Sequence, residues 1–204
     1  MGGSKDTGHM EVFKRLSKSN YVATMLVSGP LRCMHLSTHK SLIDACKYVT
    51  TENILTALQL TDEKFKDWGF KNPRIAVAAL NPHASDNGLI GDEEAREITP
   101  AVKIASEKGL NVTGPHPADT IFNQAASGKH DVVLVMYHDQ GHIAIKVYGA
   151  EESVTVNLGL PFLRTSVDHG TAFDIAGKGI ADETSMIEAL KLGASLASRK
   201  GLQT

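Results

Sequence analysis

Asp131-Val-Val-Leu-Val-Met136, followed at once by Tyr137-His138-Asp139-Gln140-Gly141-His142, is the stretch that decides the fold. The unbroken apolar run after Asp131 is typical of a strand buried on both faces of a parallel sheet. Polar residues begin where this strand ends. Because ligands collect at the carboxyl ends of the strands in an open α/β sheet, this junction is expected to carry function.

Strand and helix signals alternate along the rest of the chain. Predicted strands cover 21–27, 31–36, 74–80, 110–113, 131–136 and 153–157. Predicted helices cover 11–17, 41–49, 53–60, 93–108, 117–126 and 183–199. This alternation predicts an α/β fold in which a parallel or mixed sheet is flanked by helices.

Three histidines follow predicted strands: His39, His83 and His138. Imidazoles that lie together at the carboxyl ends of the strands of one sheet are suitable ligands for a divalent metal ion. The intervals between them match no local ligand spacing, so a chance placement stays open. The loop around His83, Asn81-Pro-His-Ala-Ser-Asp-Asn-Gly88, is rich in turn-forming residues. Such a loop fixes the backbone and presents a side chain, which favours a functional role for His83.

Composition excludes several classes of function. The chain has 204 residues, 42% of them hydrophobic, enough for the core of one domain or of one domain with an appendage. A formal net charge of −2 offers no basic surface for nucleic acid. The sequence shows no membrane span or signal peptide, and its two cysteines, Cys33 and Cys46, are interpreted as buried free thiols. A cytoplasmic protein that acts on small molecules is expected.

A glycine-rich run, Asp168-His-Gly-Thr-Ala-Phe-Asp-Ile-Ala-Gly-Lys-Gly179, is the most specific motif. Small residues let a backbone wrap closely around a flat ligand, and Thr171 is expected to cap a following helix. From the residues alone, an ordinary loop and a cofactor clamp both remain possible. The run contains no G-x-G-x-x-G, so a standard Rossmann nucleotide site is not predicted.

This run resembles the adenosine-binding loop of the isocitrate and isopropylmalate dehydrogenases. A wider set of motifs resembles the 4-hydroxythreonine-4-phosphate dehydrogenase (PdxA) family from about Gly8 to the carboxyl end. The motifs are Asn81-Pro-His-Ala84, Gly88 to Glu94, Gly114-Pro-His-Pro-Ala-Asp-Thr120, Met136-Tyr-His-Asp-Gln-Gly141 and 158–172. The resemblance implies an isocitrate dehydrogenase-like architecture with one domain truncated, because the family's amino-terminal motifs are missing.

The resemblance also implies an activity and its cofactors. These are the NAD-dependent oxidation, with decarboxylation, of a 4-phosphorylated four-carbon hydroxy acid of the 4-phosphohydroxy-L-threonine type, a step of pyridoxal phosphate biosynthesis. The family's metal ligands fall on His39, His83 and His138, and the ion, zinc, magnesium or cobalt, lies between two subunits. A homodimer with a shared active site is therefore expected.

Further roles carry over to single positions. By resemblance, Asp119 and Lys146 are catalytic, although Asp119 could equally be a helix cap. Substrate-binding positions fall on His9, Lys146, Thr155, Asn157 and Arg164. NAD is expected along Asp168, His169, Gly170 and Thr171.

Two departures from the family pattern bear on substrate. Thr155 stands where the family commonly has asparagine, and Asn157 occupies the later polar position, so the two polar residues are swapped. The alternative substrates 4-phospho-D-threonate and 4-phospho-D-erythronate are therefore considered. Met10 stands where the family has a threonine that binds phosphate, and its thioether cannot donate a hydrogen bond.

The predicted organisation has three parts: 1–10, a leader that is either native or tag-derived; 11–160, a metal and substrate domain; and 161–204, a cofactor loop and helices of a partly missing second domain. Two other functions remain open. One is a truncated, non-catalytic remnant that binds metal or phosphate ligands. The other is a metal-dependent hydrolase.

Overall fold

A computed structural model describes residues 3, 5–6 and 8–202 and contains one seven-stranded sheet. The strands are β1 Ala23–Ser28, β2 Leu31–His35, β3 Ile75–Ala78, β4 Val112–His116, β5 Val132–Val135, β6 Val154–Leu158 and β7 Arg164–Val167. The helices are α1 His9–Ser17, α2 Leu42–Tyr48, α3 Thr51–Asp67, α4 Thr99–Glu107, α5 Ala118–Ala126, α6 His138–Gly149 and α7 Thr184–Ala197. A 3-10 segment, Pro82–Gly88, and a π-helical segment, Glu94–Ile98, complete the described elements.

The sheet is mixed, with strand order β4-β3-β5-β2-β1-β6-β7. β4, β3, β5 and β2 run parallel to one another, whereas β1 pairs antiparallel with both β2 and β6. β6 therefore runs in the same direction as β2. The carboxyl ends of these five parallel strands share one edge of the sheet, called the carboxyl edge below.

Two hydrophobic clusters cover the two faces of the sheet. One packs the face side chains of Met25, Met34 and Leu134 against α3, α4 and α7, with Phe65 fully buried. The other packs the opposite face against α5 and α6, through residues such as Ile145. All four residues of β5 are buried, as expected for a strand covered on both faces. The predicted α/β fold with a mixed sheet flanked by helices is confirmed.

Several boundaries differ from the sequence prediction for identifiable reasons. β7 was missed because Arg164–Val167 is a half-buried edge strand with no apolar run. α3 extends to Asp67, far beyond the predicted end at residue 60, because its apolar stripe continues to Phe65. The predicted 93–108 helix begins instead with a π-helical turn, Glu94–Ile98, before α4.

The expectation that Thr171 caps a helix is wrong. The residues that follow it form turns, and the next helix begins at Thr184. Ala172 adopts a left-handed conformation with φ of 49°, which is incompatible with a first helical turn at this point.

The predicted domain boundaries stay predictions. β7 lies after the boundary predicted at residue 160, yet it pairs with β6 in the same sheet. Positions 1, 2, 4 and 7 of the predicted leader lie outside the described residues, and α1 begins at His9. In the described ranges, no helix has both the length and the apolar character needed to span a lipid bilayer.

Candidate active site

A cleft of about 470 Å³ at the carboxyl edge gathers most of the residues that were predicted to bind substrate and cofactor. Its walls come from α1, β1, α6, β6, β7 and the loops after β2 and β7. Nine predicted site residues line it: His9, His39, Thr155, Asn157, Arg164, Asp168, His169, Gly170 and Thr171. Sequence positions up to 162 residues apart, from His9 to Thr171, are therefore brought to one cleft.

A polar chain crosses the floor of the cleft. Arg164 donates from Nη1 to the side-chain oxygen of Asn157, whose Nδ2 donates to Thr24 Oγ1 at 3.2 Å. The Arg164 guanidinium also lies 5.3 Å from the ring centroid of Phe13. Burial lowers the pKa of Arg164, but arginine stays charged in proteins. A held, half-buried guanidinium suits a phosphate or a carboxylate.

Lys146 links α6 to the loop after β7. Its Nζ lies 3.5 Å from Asp168 Oδ2 and 3.3 Å from the Asp168 carbonyl oxygen. Ser153 donates from its hydroxyl to the same carboxylate at 2.9 Å. Asp168 is therefore held at the start of the glycine-rich run, while the Lys146 ammonium remains exposed beside the cleft.

His39 and His138 form a pair beside the cleft, with ring centroids 6.2 Å apart. Each has a carboxylate on its Nδ1: Glu11 Oε1 at 3.2 Å for His39 and Asp139 Oδ1 at 2.7 Å for His138. A carboxylate on Nδ1 holds the proton there and leaves Nε2 free, which is the usual arrangement of metal-binding histidines. The chemistry of this pair therefore fits a divalent metal.

His83 is not part of this pair. It lies exposed in Pro82–Gly88, and within the described ranges no group of three His, Cys, Asp or Glu residues is arranged to hold a metal ion. The role of His39, His83 and His138 as a common ligand set thus stays a prediction.

Glu94 anchors the loop that carries His83. Its side chain is buried, and Oε1 accepts hydrogen bonds from the backbone N–H groups of Leu80 at 2.8 Å and Asn81 at 2.7 Å. Oε2 accepts from Asn81 Nδ2 at 2.9 Å. These bonds fix the point where the chain leaves β3 and enters the His83 loop.

Two histidines at this edge, His35 and His142, were missed by the sequence analysis. His142 stacks on His138, with ring centroids 3.5 Å apart and an interplanar angle of 10°. His35 is fully buried beneath it, and burial lowers the pKa of His35 to about 3. The signal was available for His142, because residues four apart on a helix share a face. His35 looked like an ordinary strand residue.

Asp119 does not line the 470 Å³ cleft. It is exposed in the first turn of α5 and lines a mostly apolar cleft of about 790 Å³ together with residues of α6. Pro117, not Asp119, is the N-cap of α5, so the alternative role of a capping residue is wrong. Its catalytic role stays a prediction.

Sequence comparison matches residues 1–193 to the family model described as pyridoxal phosphate biosynthetic protein PdxA. The chain is 48% identical over 200 residues to a D-threonate 4-phosphate dehydrogenase of Cupriavidus necator, covering 98% of this chain and 60% of the relative. It is 49% identical over 179 residues to a 4-hydroxythreonine-4-phosphate dehydrogenase of Beijerinckia indica, covering 88% and 53%. The chain thus spans about 60% of the length of such relatives.

Solved structures give the same result. A 4-hydroxythreonine-4-phosphate dehydrogenase from Klebsiella pneumoniae superposes with a TM-score of 0.86 at 43% identity, covering 96% of this chain and 60% of the other. An isocitrate dehydrogenase from Methylococcus capsulatus, at 16% identity, superposes with a TM-score of 0.60 over 98% of this chain and 65% of the other. This second likeness shows the shared fold alone, and it confirms the isocitrate dehydrogenase-like architecture.

Proposed function

From the premise that this chain belongs to the PdxA family, we propose that its carboxyl-edge cleft binds a 4-phosphorylated four-carbon hydroxy acid for NAD-dependent oxidation. The observation that carries the proposal is the hydrogen-bonded chain Arg164–Asn157–Thr24. It holds the positively charged guanidinium of Arg164 in the same cleft as the His39 ring. Relatives named as dehydrogenases of two such phosphorylated acids support it.

Each residue of the cleft has a distinct proposed task. Arg164, with Lys146 and His9 nearby, binds the anionic ends of the acid. Thr155 and Asn157 orient its hydroxyl groups. The backbone from Asp168 to Thr171 lies along the cofactor, and NAD, when bound, supplies the hydride acceptor. Asp119 is proposed to contribute from its separate cleft only in a dimer.

A divalent metal fits the site through the Nε2 atoms of His39 and His138, with His83 as the proposed third ligand. When bound, such an ion supplies Lewis acidity that polarises a substrate hydroxyl. The protein's own part is to keep both rings in the Nδ1-protonated tautomer through Glu11 and Asp139.

4-Phospho-D-threonate is the substrate that we propose first, ahead of 4-phosphohydroxy-L-threonine. The exchanged polar pair, Thr155 and Asn157, supports this order, as does the name of the Cupriavidus necator relative. The alternative substrate would place the protein in pyridoxal phosphate biosynthesis. Both acids belong in the same assay.

We further propose a cytoplasmic homodimer. Cys33 and Cys46 are both free thiols, which fits a reducing compartment. The apolar cleft between α5 and α6 provides a surface that a second subunit could cover, and a dimer could bring a partner's histidine to the His39–His138 pair.

The test combines binding with turnover. Calorimetry with 4-phospho-D-threonate is expected to show a 10- to 100-fold weaker Kd for Arg164→Gln, because a charged hydrogen bond contributes about 1.5–3 kcal/mol. Arg199→Gln, two residues after the end of α7 and outside the cleft, is the matched control and should bind normally. Equal binding by both variants would contradict the assignment of Arg164.

NADH formation with the same acid then separates two functions. Binding with turnover supports a dehydrogenase. Binding without turnover, with either acid, supports the non-catalytic alternative. The hydrolase alternative predicts phosphate release without NADH.

A further inference from the structure

His142 lies one helical turn after His138 on α6 and lines the 470 Å³ cleft. Its Nδ1 is held on the inner side, 3.0 Å from His35 Nε2 and 3.0 Å from the carbonyl oxygen of His138. In the part of the chain that the structure describes, Nε2 of the same ring has no hydrogen-bond partner. The His142 ring therefore lines the cleft with its Nε2 atom available for a hydrogen bond.

The hydrogen-bond geometry assigns the protons of both rings. A carbonyl oxygen only accepts, so His142 Nδ1 carries the hydrogen and donates it. His35 Nε2 faces that N–H and must offer a lone pair. His35 Nδ1 lies 3.2 Å from the carbonyl oxygen of Thr24, so it carries the hydrogen of that ring. His35 is therefore neutral, and in the neutral form of His142 the Nε2 atom is an acceptor only.

Gly141 makes this pairing possible. A Cβ at position 141 would lie 2.4 Å from His35 Nε2 and 2.8 Å from Val135 Cγ2, far inside normal contact distances. Only glycine lets the buried His35 ring approach the backbone of α6 closely enough to reach His142. The close approach shows that the His35–His142 contact is built into the packing of β2 against α6.

We propose that His35 is a positioning residue that, together with the His138 carbonyl oxygen, sets the tautomer of His142, and that His142 Nε2 accepts a hydrogen bond from a hydroxyl group of the bound ligand. An acceptor-only nitrogen repels carboxylate and phosphate oxygens, which also only accept. It therefore complements Arg164, which takes the anionic group. The tautomer assignment stands on the protein geometry alone, whereas the choice of a hydroxy-acid ligand rests on the proposed function.

The first experiment reads the tautomers directly. Long-range ¹H–¹⁵N correlation spectra of chelator-treated, ¹⁵N-histidine-labelled protein are expected to show the Nδ1–H form for His35 and His142. The variants His142→Phe and His35→Leu identify the signals of these two histidines, because each variant lacks one of them. Exposed His169, which also lines the cleft, serves as an internal reference. A protonated Nε2 on neutral His142 in the unsubstituted chain would overturn the proposal.

Variants at position 35 test the coupling. His35→Leu removes one of the two acceptors of the His142 N–H and leaves only the His138 carbonyl oxygen, so the pure Nδ1–H form of His142 is expected to give way to a mixture of tautomers. His35→Gln keeps an acceptor oxygen near the position of Nε2 and is expected to retain the pure form. Gly141→Ala should displace His35 and act like His35→Leu. An unchanged His142 tautomer in His35→Leu would overturn the positioning role, and the spectrum of the unsubstituted chain decides the tautomer even if a variant fails to fold.

The second experiment tests the ligand. Calorimetry compares 4-phospho-D-threonate with its 2-deoxy and 3-deoxy analogues. One deoxy analogue is expected to bind about 3- to 10-fold more weakly, as for loss of one neutral hydrogen bond, and His142→Phe should erase that difference. His116→Gln, outside the cleft, is the control and should preserve it.

The outcomes separate this inference from the proposed function. If the acids bind but His142→Phe keeps the same discrimination, His142 does not contact the hydroxyl and the proposed function stands. If no acid binds, the proposed function and the hydroxyl contact both fail. The tautomer spectra then still test the role of His35 independently.

Discussion

The Glu94 carboxylate is 2% exposed and serves one purpose, because all three of its described hydrogen bonds go to Leu80 and Asn81. In Glu94→Gln, an amide N–H₂ replaces one of the two accepting oxygens. This donor then faces either the Asn81 side-chain N–H₂ or the backbone N–H groups of Leu80 and Asn81, which are also donors. We expect the free energy of unfolding to fall by about 1–3 kcal/mol, the cost of a buried group left unpaired. Urea unfolding measures it, with exposed Glu107→Gln as the control. A loss no larger than that of the control would contradict the anchoring role.

His130 predicts a pH dependence of stability. It is 7% exposed, and burial, followed by His116 and Lys129, lowers its pKa. As pH falls below about 6.5, the unfolded state therefore gains a proton before the folded state does. The contribution of neutral His130 to the free energy of unfolding is fully present above that pH. It is lost as the pH falls toward the lower pKa that His130 has in the folded protein.

The variant His130→Gln isolates this contribution. Between pH 7 and 5 we expect it to reduce the slope of unfolding free energy against pH, by at most about 1.4 kcal/mol per pH unit. Exposed Asn123→Gln changes no titratable group, so it is the control and should leave the slope unchanged. Chemical unfolding at several pH values provides the measurement, and identical slopes for all three proteins would refute the shift.

Among the elements, Pro82–Gly88 is the strained one. His83, Ala84, Ser85, Asp86 and Asn87 all have positive φ, between 45° and 65°, which is costly for residues with a Cβ. Such strain is often found where a side chain must be held for function. The Glu94 hydrogen bonds at the start of this segment help to maintain it.

Ala84→Gly tests that strain. Glycine adopts positive φ freely, so we expect the substitution to stabilise the fold by about 0.5–1 kcal/mol and raise the Tm. Ala194→Gly, exposed in the right-handed helix α7, is the matched control and should destabilise by about 1 kcal/mol. A lower Tm for Ala84→Gly would show that the left-handed backbone is not present.

At the scale of the whole molecule, the cleft between α5 and α6 exposes an apolar surface. Ile143 and Val147, both on α6, are 61% and 82% exposed, and Tyr148 lies beside them. Such surfaces commonly mark interfaces between subunits. This one adjoins the His138 end of α6, where the proposed dimer must share its metal ligands.

Val147→Asp is expected to convert the proposed dimer into a monomer, because it introduces a charge into an apolar interface. Sedimentation velocity at micromolar concentration measures the change. Leu190→Asp, at another exposed apolar position, on α7 and outside this cleft, is the control and should leave the oligomer intact. A monomeric unsubstituted chain, or a dimer that persists in Val147→Asp, would contradict this interface.

Local sequence was sufficient for the central elements. The apolar run of β5 and the periodic stripes of α5 and α7 specify their structure because burial follows the period of a strand or a helix. The motifs that resemble a family led to Asn157, Arg164 and Asp168, which the structure does bring into one cleft.

Only the tertiary structure decided the rest. β7 forms because β6 offers it a partner, and no apolar pattern marks it in the sequence. The contact of His35 with His142 joins positions 107 residues apart, and it depends on the absence of a Cβ at Gly141. Local periodicity reports which face of an element is buried, but it carries no information about which distant side chains will meet there.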